Sequence, residues 1–127
     1  MGLSLEDIPE DTKIALLVSA GQSVVRLGEF EKGLNYYERA LSIQPNEPTA
    51  LKSLGALYLA QDNFEAALEN LDKAIEMTSN DKDLVDLFFN RGLVYLKMDN
   101  FEEAEYNFEE AYFLAPDDVE ALLGLAK

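Results

Sequence analysis

The side chains in this sequence that could take part in catalysis or metal binding are mainly carboxylates. The chain contains 25 Asp and Glu residues but no His and no Cys. The missing imidazole and thiol groups exclude a His general base, a Cys nucleophile and a thiolate zinc site. The densest acidic cluster comprises Glu102, Glu103, Glu105, Glu109 and Glu110, followed by Asp117 and Asp118. It could attract a basic partner or a divalent cation, but it lacks the Asp-x-Asp-x-Asp-Gly alternation of a calcium loop. We therefore interpret the cluster as a solvated helix face, and we expect no catalysis, metal or cofactor in this chain.

The charge balance argues against two classes of partner. Only ten Lys and Arg residues oppose the acids, which leaves a net charge of −15 at pH 7. A surface this acidic repels phosphate backbones and anionic lipid headgroups, because proteins bind both by neutralising their charge with Lys and Arg. The amino terminus lacks the basic flank and apolar run of a signal peptide, and no stretch approaches the length of a membrane span. We expect no nucleic acid or membrane partner and a cytoplasmic location.

These side chains belong to segments that repeat along the chain. The segment from Phe88 to Pro116 carries the markers Gly92, Tyr95, Asp99-Asn100-Phe101, Ala104, Phe108, Ala111 and Pro116. At 37 residues earlier lie Gly55, Tyr58, Asp62-Asn63-Phe64, Ala67, Leu71 and Ala74. A further 34 residues earlier lie Gly21, Val24, Gly28-Glu29-Phe30, Gly33, Tyr37, Ala40 and Pro45. Each unit accommodates two helical runs, and a period of this length is typical of a solenoid.

Apolar spacing and helix breakers predict about seven helices. The predicted bounds are Pro9 or Glu10 to about Leu27, Phe30 to Ile43, Pro48 to Gln61, Phe64 to Met77, about Asp83 to Met98, Phe101 to Leu114, and a last helix capped by Asp117-Asp118. Asn46 is expected to cap the third helix, with Pro48 in its first turn. The junction from Thr78 to Asp83 is three residues longer than the period allows, so we expect a longer loop there.

The markers resemble the tetratricopeptide repeat (TPR), a 34-residue helix-turn-helix unit. That pattern has a large residue, Leu-Gly and Tyr in the first helix, and small, aromatic and small residues followed by Pro in the second. The third unit departs from it at Arg91, where Leu is usual, and the second departs at Leu71 and Ser79. The resemblance implies an all-α fold, a right-handed superhelical solenoid of antiparallel helix pairs. Its parts would be a lead-in and helix start at 1–13, repeats at 14–47, 48–84 with the longer junction, and 85–118, and a partial fourth repeat or capping helix at 119–127.

The resemblance also implies that the first helix of each unit lines a concave face. Helical spacing then selects as groove residues Val18, Gln22, Val25, Arg26, Thr49, Lys52, Ala56, Leu59, Ala60, Asp86, Phe89, Asn90, Leu93, Leu96 and Lys97. Three of them are basic and one is acidic, which predicts an apolar groove with basic edges. A peptide or an amphipathic helix fits such a groove. The aliphatic residues could equally pack between neighbouring first helices, whereas Phe89 is expected to contact the ligand.

Some co-chaperone TPR domains hold the carboxyl terminus of a heat-shock chaperone with a clamp of Lys, Asn and Arg side chains. The matching positions here are Val18 and Gln22, then Ser53, then Asp86 and Asn90. None of them is cationic, and the capture of a carboxylate depends on those cations. The resemblance therefore implies a protein or peptide partner, but a heat-shock chaperone terminus is not expected.

Several functions remain open at this point. The leading hypothesis is a non-catalytic scaffold that binds a peptide or helical segment of a partner protein. The alternatives are a small assembly or secretion chaperone and a regulatory TPR fragment of a larger protein. Self-association is also open, either through Leu122 and Leu125 of the end helix or by entry of Leu3 and Leu5 into a neighbour's groove.

Overall fold

A computed structural model describes residues 7–123, apart from the side chain of Ala121. Within this range the chain forms seven α-helices: α1 Glu10–Arg26, α2 Phe30–Ile43, α3 Pro48–Ala60, α4 Phe64–Met77, α5 Asp81–Lys97, α6 Phe101–Leu114 and α7 Pro116–Leu122. The predicted bounds of α2, α4 and α6 are confirmed, and the ends of α1 and α3 differ from prediction by one residue. Leu3, Leu5 and Leu125, which the sequence offers for self-association, lie outside the described residues.

The helices stack as antiparallel pairs in chain order. Within a pair, α1 packs on α2, α3 on α4 and α5 on α6, while successive pairs meet through α2 and α3, α4 and α5, and α6 and α7. The first helices also approach one another, α1 with α3 and α3 with α5, whereas in residues 7–123 no such approach joins α2 to α4 or α4 to α6. The elements on the inside of a curved stack lie closest together. The first helices therefore line the concave face of an all-α solenoid, as the resemblance implies.

The hydrophobic core divides into three clusters that share helices. Leu54 of α3 belongs to the first cluster, with residues of α1 and α2, whereas Leu51 of the same helix belongs to the second. In α5, Leu87 belongs to the second cluster and Phe89 to the third. Because one first helix serves two clusters, neighbouring repeats stabilise each other, as is usual in a solenoid.

The same turn joins the two helices of every repeat. Gly28, Asp62 and Asp99 follow α1, α3 and α5, and their φ angles are 84°, 59° and 60°. In the first turn, the Glu29 N–H donates to the Val24 carbonyl at 2.9 Å and the Gly28 N–H to the Val25 carbonyl at 2.9 Å. This pair of bonds is a Schellman motif, which satisfies carbonyls at the helix end and reverses the chain. The repeated turn sets the antiparallel geometry of each pair.

Two local predictions are wrong. The junction between α4 and α5 is not a longer loop, because only the residues from Thr78 to Asn80 lie outside the helices and α5 begins at Asp81. The Asn80 side chain accepts hydrogen bonds from the backbone N–H groups of Lys82 and Asp83, so it caps a longer helix there. Likewise, Glu47 rather than Asn46 caps α3, since its carboxylate accepts from the Ala50 N–H at 2.8 Å.

Candidate peptide-binding groove

A cavity of about 260 Å³ opens on the concave side, where α1, α3 and α5 approach each other. Its lining residues are Gln22, Val25, Arg26, Tyr37, Lys52, Ser53, Ala56, Leu57 and Asn90. The three first helices supply all of them except Tyr37, which reaches the cavity from α2. The helical period of the first helices, together with their curvature, therefore creates one concave site from three repeats.

Both charged side chains that line this cavity are cationic. Arg26 is exposed at the end of α1. Lys52 is half-buried on α3, and its Nζ lies 3.5 Å from the Asp86 carboxylate on α5. The carboxylate neutralises part of the Lys52 charge and holds the ammonium group at the edge of the cavity. In a chain of net charge −15, these two cations make the cavity locally attractive to a carboxylate or a backbone carbonyl.

Neutral polar groups form the floor between the two cations. The Gln22 side-chain amide donates to the Ser53 hydroxyl across α1 and α3 at 3.3 Å. Burial raises the pKa of the Tyr37 hydroxyl, while a hydrogen bond with Ser53 and the positive charge of Arg26 act in the opposite direction. Tyr37 is therefore uncharged near pH 7. Gln22, Ser53 and Asn90 offer amide and hydroxyl groups of the kind that pair with a peptide backbone.

A second cavity extends the concave surface toward the amino-terminal end of α1. It measures about 350 Å³ and includes Gln22, which also lines the first cavity. Asp11 and Glu47 bring negative charge to this second cavity, whereas Arg26 and Lys52 lie only in the first. The concave surface is therefore polarised along its length, and an extended segment could span both parts.

The first cavity brings together six of the predicted groove residues: Gln22, Val25, Arg26, Lys52, Ala56 and Asn90. Sequence reasoning missed the contribution of Tyr37. In the structure, a Cβ on Gly21 would overlap the Tyr37 ring. The glycine at this position of α1 is therefore the sequence signal that the ring packs directly against this helix. An aromatic ring placed so deeply under α1 reaches the concave side of the helix pair.

Two predicted groove residues belong to the core clusters, although Val18 also lines the second cavity. Val18 is 4% exposed and Phe89 is 7% exposed. The Phe89 ring lies 5.4 Å from the Phe108 ring, and α7 adds Val119 to the same cluster. The expectation that Phe89 contacts a ligand is therefore wrong, because α6 and α7 enclose its ring.

Four of the remaining predicted residues lie outside the first cavity, whereas Thr49 lines the second one. Leu59 and Leu93 are half-buried against core clusters, which is the packing alternative left open for the aliphatic residues. Lys97 lies 3.6 Å from the Asp62 carboxylate in the turn after α3. Leu96 lies on the far side of α5, in a cavity formed with α6 and α7. These four residues do not line the cavity at Arg26 and Lys52.

The described part of the chain contains no group of three or more His, Cys, Asp or Glu side chains placed to hold a metal ion. Among the helices between residues 7 and 123, none is both long enough and apolar enough to cross a membrane. The groove itself presents two cations, amides, hydroxyls and short aliphatic side chains. These groups can bind a ligand by hydrogen bonds and apolar contact.

A sequence model described as the tetratricopeptide repeat matches residues 12–80 and again residues 46–117. Solved structures agree with it in fold. The O-GlcNAc transferase of Thermobaculum terrenum has a TM-score of 0.81 at 25% identity, over 93% of this chain but only 22% of the transferase. This chain thus spans about a fifth of that protein.

Two shorter domains match over nearly their whole length. The first TPR domain of Spaghetti (RPAP3), solved with the HSP90 peptide SRMEEVD, has a TM-score of 0.77 at 19% identity, over 90% of this chain and 88% of that one. The amino-terminal domain of stress-induced protein-1 from C. elegans has a TM-score of 0.72 at 20% identity, over 90% and 96% of the two chains. At these identities the likeness concerns the fold.

Proposed function

Because the chain belongs to the tetratricopeptide repeat family, we propose that it is a non-catalytic scaffold that binds a peptide or helical segment of a partner protein in the concave groove. A protein interaction scaffold is the general role of this fold. The observation that carries the finer proposal is the cavity shared by α1, α3 and α5, with Arg26 and Lys52 as its charged lining residues.

The lining residues favour a ligand with a carboxylate or several accessible carbonyls next to a small apolar side chain. Arg26 and Lys52 donate charge-assisted hydrogen bonds, which are stronger than neutral ones. Gln22, Ser53 and Asn90 supply neutral partners for the peptide backbone, and the small side chain of Ala56 leaves room beside them. An extended segment with one acidic residue satisfies these groups better than a basic segment does.

The heat-shock chaperone terminus remains disfavoured for this groove. The RPAP3 neighbour binds the HSP90 peptide SRMEEVD, whose acidic end requires several cations. At the clamp positions of this chain, Val18 is buried in the core and Asp86 is an anion next to Lys52. The Asp86 carboxylate would repel a second carboxylate in that position.

A test of this proposal selects ligands first and then removes the groove cations. Peptides are selected from a random twelve-residue phage library on the intact chain, and their affinities are measured by calorimetry. The double variant Arg26→Gln, Lys52→Gln should weaken binding by at least about tenfold, because each lost charge-assisted hydrogen bond is worth roughly 1.5–3 kcal/mol. We expect the peptide SRMEEVD to bind far more weakly than the selected peptides.

The matched control is Lys32→Gln, Lys73→Gln, which removes two cations from the second helices α2 and α4. Each of these lysines forms an exposed ion pair, with Glu29 and Glu69 respectively. The control should bind the selected peptides with nearly the wild-type affinity. If the two double variants lose the same affinity, net charge rather than the groove governs binding, and the proposal is wrong.

The similarity to the Thermobaculum terrenum transferase supports a second candidate function, in which this chain is a regulatory repeat segment of a larger protein. In that protein the matching region makes up 22% of the chain. A repeat segment in such a setting would recruit a partner or substrate for another domain through the same groove. The groove variants test the binding step in either case.

A further inference from the structure

At α6 and α7 the described part of the solenoid carries an apolar groove that the proposed function does not use, here called the end groove. This end groove has a volume of about 410 Å³ and shares no lining residue with the concave cavity. Its apolar lining includes Leu96, Phe101, Phe108, Tyr112, Phe113 and Leu123. Phe101 is 63% exposed and Phe113 is 77% exposed.

The residues of the end groove can be compared with the equivalent residues of the second repeat. Leu59, Phe64 and Ile75 of the second repeat are half-buried against a core cluster that includes residues of α5. At 37 residues further along the chain, the corresponding Leu96, Phe101 and Tyr112 are all exposed. Within residues 7–123, the end groove is therefore a repeat-to-repeat packing surface that helix α7 covers only in part. In the preceding repeats, the helices of the next repeat cover the corresponding surface. The end groove therefore has a shape that a helix can pack against.

The charge of this end indicates the chemistry of the helix that would fit. Glu105 and Glu109 lie in the groove lining. From Met98 to Leu123 the chain contains no Lys or Arg, and its acids there are Asp99, Glu102, Glu103, Glu105, Glu109, Glu110, Asp117, Asp118 and Glu120. A helix with basic residues on both sides of an apolar stripe matches this combination of apolar floor and acidic rim.

We propose that the end groove binds a basic amphipathic helix of a partner protein. The apolar stripe of that helix packs on Phe101, Tyr112 and Phe113, and its Lys or Arg side chains pair with Glu105 and Glu109. A second copy of this chain fits the surface less well, because each copy carries a net charge of −15 and acidic ends repel each other. Binding here is independent of the concave groove, so the protein would have two partner surfaces.

The test uses two synthetic 18-residue helical peptides of about equal helicity. Both carry the same Leu and Phe stripe at i, i+3, i+4 and i+7, but one has Lys and the other has Glu at the flanking positions. Binding to the intact chain is followed by fluorescence anisotropy at low and at high NaCl concentration. The Lys peptide should bind with one-to-one stoichiometry and weaken with salt, whereas the Glu peptide should bind at least about tenfold more weakly.

Two matched pairs of variants locate the site. Phe113→Ser and Leu27→Ser remove apolar side chains that are each 77% exposed, but only Phe113 lines the end groove. Glu105→Gln, Glu109→Gln and the control Glu65→Gln, Glu76→Gln each remove two exposed charges. The end-groove variants should bind the Lys peptide about tenfold more weakly than the wild type does. For both controls the loss of affinity should be less than about twofold.

Three outcomes would overturn the proposal. Equal weakening by both glutamine variants would show that the peptide binds through net charge alone. Unchanged binding by Phe113→Ser would show that the apolar groove is not the site. A wild-type mass twice that of one 14.2 kDa chain, reduced to the single-chain mass by Phe113→Ser, would make a second copy the occupant. The Arg26→Gln, Lys52→Gln variant should bind the Lys peptide normally, which separates this proposal from that for the concave groove.

Discussion

Single glycines in the first helices determine how closely the two helices of a repeat pack. A Cβ on Gly55 would lie 2.6 Å from both Cγ and Cδ2 of Leu71, which is fully buried. A Cβ on Gly92 would lie 2.6 Å from Cε1 of Phe108. Glycine in a helix interior costs about 1 kcal/mol relative to alanine. The close helix packing offsets that cost, because a dense core maximises dispersion contacts.

Gly55→Ala should lower the free energy of unfolding despite the better helix propensity of alanine. The gain of about 1 kcal/mol in propensity is opposed by roughly 1–3 kcal/mol of overpacking against Leu71. Urea unfolding followed by circular dichroism measures the net effect. The same substitution in a Leu71→Ala background should instead raise stability, because the clash is gone; equal effects in both backgrounds would refute the packing explanation.

The turn between the helices of a repeat requires a left-handed backbone conformation at one residue. Gly28 satisfies it in the first repeat, whereas Asp62 and Asp99 adopt the same conformation with φ near 60°. A side chain in this region brings its Cβ close to the following carbonyl and is unfavourable for residues other than glycine and, to a smaller degree, Asn and Asp. The turn geometry therefore dominates over residue preference in the second and third repeats.

Gly28→Ala should destabilise the protein by about 1 kcal/mol. A Cβ at Gly28 meets nothing within 4 Å, so this loss measures the backbone conformation alone. The reverse change, Asp99→Gly, should stabilise by about 0.5 kcal/mol, since glycine relieves the strain but has more freedom in the unfolded chain. Both are measured by urea unfolding. A neutral Gly28→Ala variant would contradict this account of the turn.

The whole molecule carries a large excess of negative charge that its ion pairs do not balance. Its net charge is −15, and the ion pairs of Lys52 with Asp86 and Lys97 with Asp62 lie at the surface, with separations of 3.5 and 3.6 Å. Surface pairs of this kind contribute about 0–1 kcal/mol each. Repulsion among the remaining acids destabilises the compact state. The same field favours basic partners at the acidic end and draws carboxylates only to the cations of the concave groove.

Thermal stability should therefore rise as NaCl is raised from 10 to 150 mM, a change that shortens the screening length from about 30 Å to about 8 Å. If screening recovers about 1 kcal/mol, Tm increases by roughly 3–6 °C. The variant Glu105→Gln, Glu109→Gln, Glu110→Gln should show a smaller increase, because three repelling charges have been removed. A decrease in Tm with NaCl would mean that the ion pairs outweigh the repulsion.

The sequence by itself determined the repeat, the helix pairs and most helix bounds. These features depend on local signals. The apolar spacing of α2, α4 and α6 and the helix breakers at Gly28, Asp62 and Asp99 each affect only the conformation of residues close to them in the sequence. Six of the residues that the sequence selects, among them Arg26 and Lys52, line one cavity. They follow from helical period and from the rule that first helices lie inside the curve.

Only the tertiary structure decided which apolar residues of the first helices remain accessible. Phe89 and Leu96 both belong to α5 and were both assigned to the groove, yet Phe89 is enclosed by α6 and α7, and Leu96 opens into the end groove. Their exposure depends on side chains such as Phe108 and Val119, which lie 19 or more residues from Phe89 in the sequence. Helical spacing describes one helix, whereas burial is a property of the neighbours that pack against it.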